Sequence, residues 1–203
     1  DVEKAFEGYE YQRAAQLLRD FMDHDLSAFY LDIVKDRLYC AKAGGVDHRS
    51  AQTALFRLAT VLVKLWAPVL VHTCEEAWDA LSAFGLPGSV HLASWPHHGT
   101  ADTSRRDWVA KLRRVRTEIQ RLVDPLRKEK VVGSGQDVAV RWVAHDVDLD
   151  HALLSDAKSI MGDDWDEGLL EFLGVAEFER VNVEENPDAA TELVATGLPG
   201  LDL

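Results

Sequence analysis

Phe29-Tyr30-Leu31-Asp32-Ile33-Val34-Lys35-Asp36-Arg37-Leu38-Tyr39 sorts into two faces when it is wound at about 100° per residue. Asp32, Lys35, Asp36 and Tyr39 share one face, and Ile33, Val34 and Leu38 take the opposite arc. Separation at that period is helical; a strand would alternate every second residue. Arg37 falls inside the apolar arc, where a lone arginine is ion-paired or snorkels because an uncompensated buried charge is costly. Lys35 and Tyr39 point outward and have two readings. They form a ligand face, with a cation for phosphate and a ring for stacking on a base. Alternatively the face is merely solvated, with Lys35 bridging Asp32 and Asp36.

The helical period extends on both sides. Val2–Met22 carries Ala5, Phe6, Tyr9, Ala14, Leu17, Leu18 and Phe21 near helical spacing, and Asp25-Leu26-Ser27 offers capping side chains before Ala28–Tyr39. Gly44-Gly45 marks a loop over Lys42–Asp47. Arg49–Trp66 is apolar nearly all round apart from Arg57 and Lys64, the pattern of a helix buried on most sides, and Pro68 should kink or end it. Thr73-x-x-Glu76 reads as a capping box opening a short helix through Trp78 and Leu81. Several helices with short connections predict a mainly α fold, an antiparallel helical bundle over residues 1–96.

Residues 97–104, with His97-His98-Gly99, read as a linker. Ser104-x-x-Asp107 then resembles a second capping box, opening a helix over Arg105–Lys130 that Pro125 bends and Gly133-Ser134-Gly135 terminates. Val138, Val140, Trp142 and Ala144 alternate as a strand does. Helices are expected at Leu149–Met161 and Trp165–Leu173, and a second strand at Glu177–Val183, giving a basic helix plus small α/β subdomain over 105–185. Residues 186–203 read as a loosely ordered tail.

The 203 residues carry 22 basic and 35 acidic side chains, a formal net charge of −13, and 47% are hydrophobic. This is globular composition, and the mean charge opposes broad nonspecific nucleic-acid binding. The mean conceals an asymmetry. Residues 1–104 hold 9 basic and 14 acidic side chains, residues 105–130 hold 10 and 4, and residues 131–203 hold 3 and 17. A local basic patch can meet phosphate while the rest of the chain repels it. In the basic helix, Trp108, Leu112, Val115, Ile119 and Leu122 form an apolar stripe flanked by arginines, among them Arg113, Arg114 and Arg116. The competing reading is a surface helix that neutralises the acidic C-terminal unit.

Catalytic signatures are missing: there is no GxSxG, P-loop, GxGxxG or HExxH. Asp146, Asp148 and Asp150 alternate but lack the glycine and terminal glutamate of a calcium loop, and read as acidic surface. Glu75-Glu76 read as first-turn carboxylates favouring the helix dipole. The two cysteines, Cys40 and Cys74, form no CxxC, so a reducing, cytoplasmic setting is expected without a disulfide or structural zinc. No apolar run reaches the length of a membrane span. The chain begins Asp1-Val2-Glu3 without an initiator methionine, and is expected to be a piece of a longer protein.

The run from Phe29 to Tyr39 resembles a signature of bacterial-type isoleucyl-tRNA synthetases. Similar to that family in order and spacing are His48-Arg49-Ser50-Ala51-Gln52-Thr53-Ala54-Leu55, Leu65-Trp66-Ala67-Pro68-Val69-Leu70, Thr73-Cys74-Glu75-Glu76-Ala77-Trp78, Ser89-Val90-His91-Leu92 and Trp95-Pro96. The resemblance spans residues 1 to about 185 and is specific over 20–96. It implies the anticodon-binding bundle of a class I synthetase followed by a small C-terminal subdomain. The HIGH and KMSKS signatures of the ATP site are not in this chain, so the resemblance implies no amino-acid activation here; ATP with magnesium belongs to the catalytic domain of the parent chain. The implied partner is the anticodon arm of an isoleucine tRNA, bound by a monomer without a membrane. Lys35 and Arg49 would hold backbone phosphate, Tyr39 would stack, Gln52 would read a base edge, and the basic helix with Arg113, Arg114 and Arg116 would hold the stem. His48-Arg49-Ser50 departs from the Arg-Arg-Ser common in the family, which weakens one cation. Many bacterial members end in a cysteine zinc module; no such cysteines occur in these 203 residues, and the module either follows in the parent chain or is absent.

Overall fold

The computed structural model describes residues 1–86, 88–97, 99, 102–133, 137–143, 155–162, 165–181 and 201–202. Two compact units divide the chain, Asp1–Gly99 and Thr100–Leu203. The division falls inside the glycine- and histidine-bearing segment 97–104.

The first unit is helical from end to end. The expected helix over Val2–Met22 is two, α1 (Val2–Glu7) and α2 (Tyr11–Asp20). Tyr9 breaks it, with a left-handed φ of 58°. Glu10 N–H donates to Ala5 O and Tyr9 N–H to Phe6 O, the paired bonds of a Schellman closure. Ala5, Ala14 and Leu18 are the buried positions of the two helices. The caps expected at Asp25 and Ser27 are not used: Phe21–Tyr30 continues α2 as a wider π-helical segment. Leu31–Ile33 (α3) and Lys35–Tyr39 (α4) follow, joined at the buried Val34.

After the Gly44-Gly45 turn comes α5 (Val46–Trp66), then α6 (Val71–Ser82) and a 3-10 turn at Val90–Leu92. Helix α5 packs on α4 and α6. Ala67, Cys74, Trp78 and Val90 form a buried cluster, with Val63, Trp66, Leu86 and Ala93 against it. Burying such side chains contributes about 1.5–3 kcal/mol each. The Thr73 capping box does not form. Cys74 N–H already bonds Leu70 O, so the helix begins at Val71 and Thr73 lies inside it. Glu75 serves elsewhere: its Oε2 accepts from Ser89 Oγ at 2.8 Å and from Val90 N–H at 3.2 Å, fastening the 3-10 turn to α6.

The second unit opens with α7 (Thr103–Lys128). Its cap is Asp102, whose carboxylate accepts from Arg105 N–H at 3.1 Å, rather than Ser104. The helix stops before Gly133: Lys130, at φ 59°, closes it with Lys130 N–H to Arg127 O and Val131 N–H to Leu126 O. The buried stripe is Trp108, Leu112, Val115, Ile119 and Val123, with Leu122 only half-buried. Strand β1 (Ala139–Val143) pairs in parallel with β2 (Glu177–Val181), Val140 opposite Phe178. Parallel neighbours need a crossover, here α8 (Ala157–Met161) and α9 (Trp165–Leu173). Leu201–Asp202 (β3) pairs antiparallel with the other edge of β1, giving the order β2-β1-β3. Those two residues are thus strand, not loose tail. Helix α7 packs on α9, with Trp108 and Phe172 ring centroids 6.0 Å apart. Ala144, residues 149–154 and the carboxylates Asp146, Asp148 and Asp150 lie outside the described residues, as do Ser134, Gly135, His98 and residues 182–200.

Candidate nucleic-acid interface

The helical projection of Asp32–Tyr39 matches the observed exposure. Asp32, Lys35, Asp36 and Tyr39 are exposed, Val34 is buried, and Ile33, Arg37 and Leu38 are half-buried. Burial of Val34 against the rest of the unit therefore aims Lys35 and Tyr39 at solvent. Tyr39 is 82% exposed, an unusual situation for a ring that could bury its apolar face. Lys35 Nζ lies 2.9 Å from Asp32 Oδ1 with both side chains well exposed. An exposed pair of this kind contributes about 0–1 kcal/mol.

Arg49 and Gln52 lie in the first two turns of α5, and both are exposed. The short connection Cys40–Gly45 brings the end of α4 and the start of α5 to the same end of the unit. Tyr39 and Lys35 thus lie on α4, and Arg49 and Gln52 on the adjoining start of α5, which packs against it. His48 is half-buried, its Nδ1 accepting from Gly44 N–H at 3.4 Å. That bond spans the turn between the two helices.

On α7 the three predicted arginines part company. Arg114 is exposed and Arg113 half-buried. Arg116 is 6% exposed, and its Nη1 donates to Phe172 O in the last turn of α9. A guanidinium there meets the negative end of a helix and satisfies a carbonyl that the helix leaves open. Arg116 belongs to the interior of the second unit and is withdrawn from the surface that Arg113 and Arg114 share. Its position was legible: it lies one residue beyond Val115 and three before Ile119, as Arg37 lies within its own apolar arc. Trp66, Trp78 and Trp108 are packing residues, Trp66 Nε1–H contacting Met22 Sδ at 3.0 Å. Glu75, read as a first-turn carboxylate, is the clamp on the 3-10 turn.

Among the described residues no group of three or more His, Cys, Asp or Glu side chains is arranged to hold a metal. No described helix is long and apolar enough to cross a membrane.

Residues 1–141 match the family model of the anticodon-binding domain of tRNA ligases. The chain belongs to this family. The match covers the whole first unit and runs through α7 into β1, so the exposed α4–α5 end and the basic helix both lie inside the anticodon-binding domain. Similar proteins include the isoleucine–tRNA ligase of Bordetella petrii, 38% identical over 145 residues, which are 66% of this chain and 15% of that protein. The isoleucine–tRNA ligase of Bordetella parapertussis is 32% identical over 207 residues, 97% of this chain and 20% of that protein. That of Synechococcus sp. is 35% identical over 180 residues, 88% of this chain and 18% of that protein. The chain spans a fifth or less of the length of these curated relatives.

Proposed function

We propose that this chain is the part of an isoleucine–tRNA ligase that selects isoleucine tRNA by its anticodon arm. The family match over residues 1–141 carries the reading, and the exposed Lys35, Tyr39, Arg49 and Gln52 give it a chemistry. Phosphate contacts by Lys35 and Arg49 set the register of the arm, and Tyr39 stacks on an unpaired loop base. Gln52 offers an amide to a base edge. Arg113 and Arg114 hold the stem. Activation of isoleucine with ATP belongs to the remaining length of the ligase, which acts as a cytoplasmic monomer.

Single substitutions test the reading. Lys35→Ala, Tyr39→Ala and Arg49→Ala are titrated against an isoleucine anticodon stem-loop by fluorescence anisotropy, with thermal melts in parallel. Each is expected to weaken binding about fivefold to a hundredfold, the range of one phosphate or stacking contact of about 1–3 kcal/mol. Melting is expected to stay unchanged, because all three side chains are exposed. Unaltered affinity in all three would remove the α4–α5 end from the interface.

A further inference from the structure

The outward face of α7 is ordered more finely than its composition indicates. At about 100° per residue, Arg106 and Arg113 fall on one edge of the exposed face, and Arg114 and Arg121 on the other. Ala110 and Thr117 lie between the two rows, and all but the half-buried Arg113 are exposed. Two open concavities follow this line. One is lined by Arg105, Arg106, Val109, Ala110 and Arg113, the other by Ala110, Arg113, Arg114, Thr117 and Glu118. They share Ala110 and Arg113, so they run on from one another along the helix. From Arg106 to Arg121 the track is about 22 Å long, at about 1.5 Å per residue.

We propose that this face of α7 is a track for the sugar-phosphate backbone of base-paired RNA, gripped by Arg106 and Arg121 as well as Arg113 and Arg114. The inference rests on the RNA-binding reading above and extends it to two residues and one class of contact. Charge selects the ligand: residues 105–130 hold 10 basic and 4 acidic side chains within a chain of net charge −13, so a polyanion meets attraction on this helix. The floor selects duplex over single strand. Proteins that track single strands combine cations with aromatic stacking platforms, and this face carries none, since Trp108, the aromatic residue of α7, is buried on the opposite side. Arg106 pairs with Asp107 at 3.4 Å at an exposed site, where such pairs are weak, and Arg121 pairs with the half-buried Glu118 at 2.7 Å. Recognition here is of shape and phosphate, independent of sequence.

The test uses the 203-residue chain, an isoleucine anticodon stem-loop, and a blunt RNA duplex of unrelated sequence. Arg106→Gln/Arg121→Gln is expected to lower affinity for both RNAs about tenfold. It should make the slope of log affinity against log salt shallower by about 1.5, at roughly 0.7–0.9 per lost phosphate contact. The preference for the native over a scrambled anticodon should not change. Ala110→Glu, a good helix former at an exposed position, should weaken duplex binding equally without altering the melting temperature. Unchanged duplex affinity and salt slope in both variants overturn the track, as does failure of the wild-type chain to bind the duplex. Loss of anticodon preference in the wild type, with duplex binding intact, would instead overturn the anticodon reading and leave the track standing.

Discussion

Arg116→Met separates the interior of the second unit from its surface. The substitution keeps an unbranched apolar stem, two atoms shorter, and deletes a buried guanidinium whose Nη1 donates to Phe172 O. A hydrogen bond with a charged partner contributes about 1.5–3 kcal/mol, and an orphaned buried carbonyl costs about 1–3 kcal/mol. Release from burying a charge works the other way. The C-terminal end of α9 already compensates part of that charge, by up to about 2 kcal/mol, so the relief is incomplete. The net expectation is a loss of about 1–3 kcal/mol. For a unit of this size, that lowers the melting temperature by about 4–15 °C. Tryptophan fluorescence reports it, since Trp108 lies 6.0 Å from Phe172. Below the transition, affinity for the anticodon stem-loop should stay within twofold of wild type. An unchanged melting temperature with tenfold weaker RNA binding would refute the assignment and return Arg116 to the interface.

Further consequences follow from closures, clamps and a thiol. Gly174 has φ +73°, and an added Cβ would lie 3.2 Å from Arg116 Nη1; Gly174→Ala should cost about 1–3 kcal/mol in a urea melt. Lys130 holds a left-handed φ of 59° in the Schellman closure of α7, so Lys130→Gly should stabilise by about 0.5–1 kcal/mol in the same assay. Glu75→Ala removes the acceptor of Ser89 Oγ and Val90 N–H; a loss of about 1–3 kcal/mol is expected, with faster amide exchange at Val90. Burial raises the Cys74 thiol above its ordinary 9.0. A thiol that holds its proton more tightly when folded leaves stability intact below about pH 9 and withdraws it as the pH rises through the raised value. Urea melts at pH 8 and pH 10 should show that decline in the wild type and a smaller one in Cys74→Ala. A thiol reagent should modify the exposed Cys40 well before Cys74.

The fold class was legible because apolar residues recur at the helical period over most of the chain, and because Val138–Trp142 and Phe178–Val181 do not. Helix termini were less legible, for physical reasons. Both capping boxes have the right spacing, the second with Asp107 in place of a glutamate, yet it is Asp102 that caps α7 at Arg105 N–H, and α6 has already begun when Thr73 arrives. Gly8, one residue before the left-handed Tyr9, was passed over when Val2–Met22 was read as one helix. The π-helical segment over Phe21–Tyr30 has no composition of its own, since a wider hydrogen-bond register needs no special residue. In the candidate interface, the outward aim of Lys35 and Tyr39 followed from projection alone. The buried role of Arg116 was missed because a count of charges outweighed its place in the apolar arc. The clamp by Glu75 was not readable from sequence, because its partners lie 14 and 15 residues away.

Anticodon selection by this chain is decided by anisotropy titration of the 203 residues against an isoleucine anticodon stem-loop and a scrambled-anticodon control, across a salt series. Tighter binding of the native anticodon is expected, with affinity for both RNAs falling as salt rises. Equal affinity for the two loops, or no binding by a chain whose circular dichroism is helical, would contradict it.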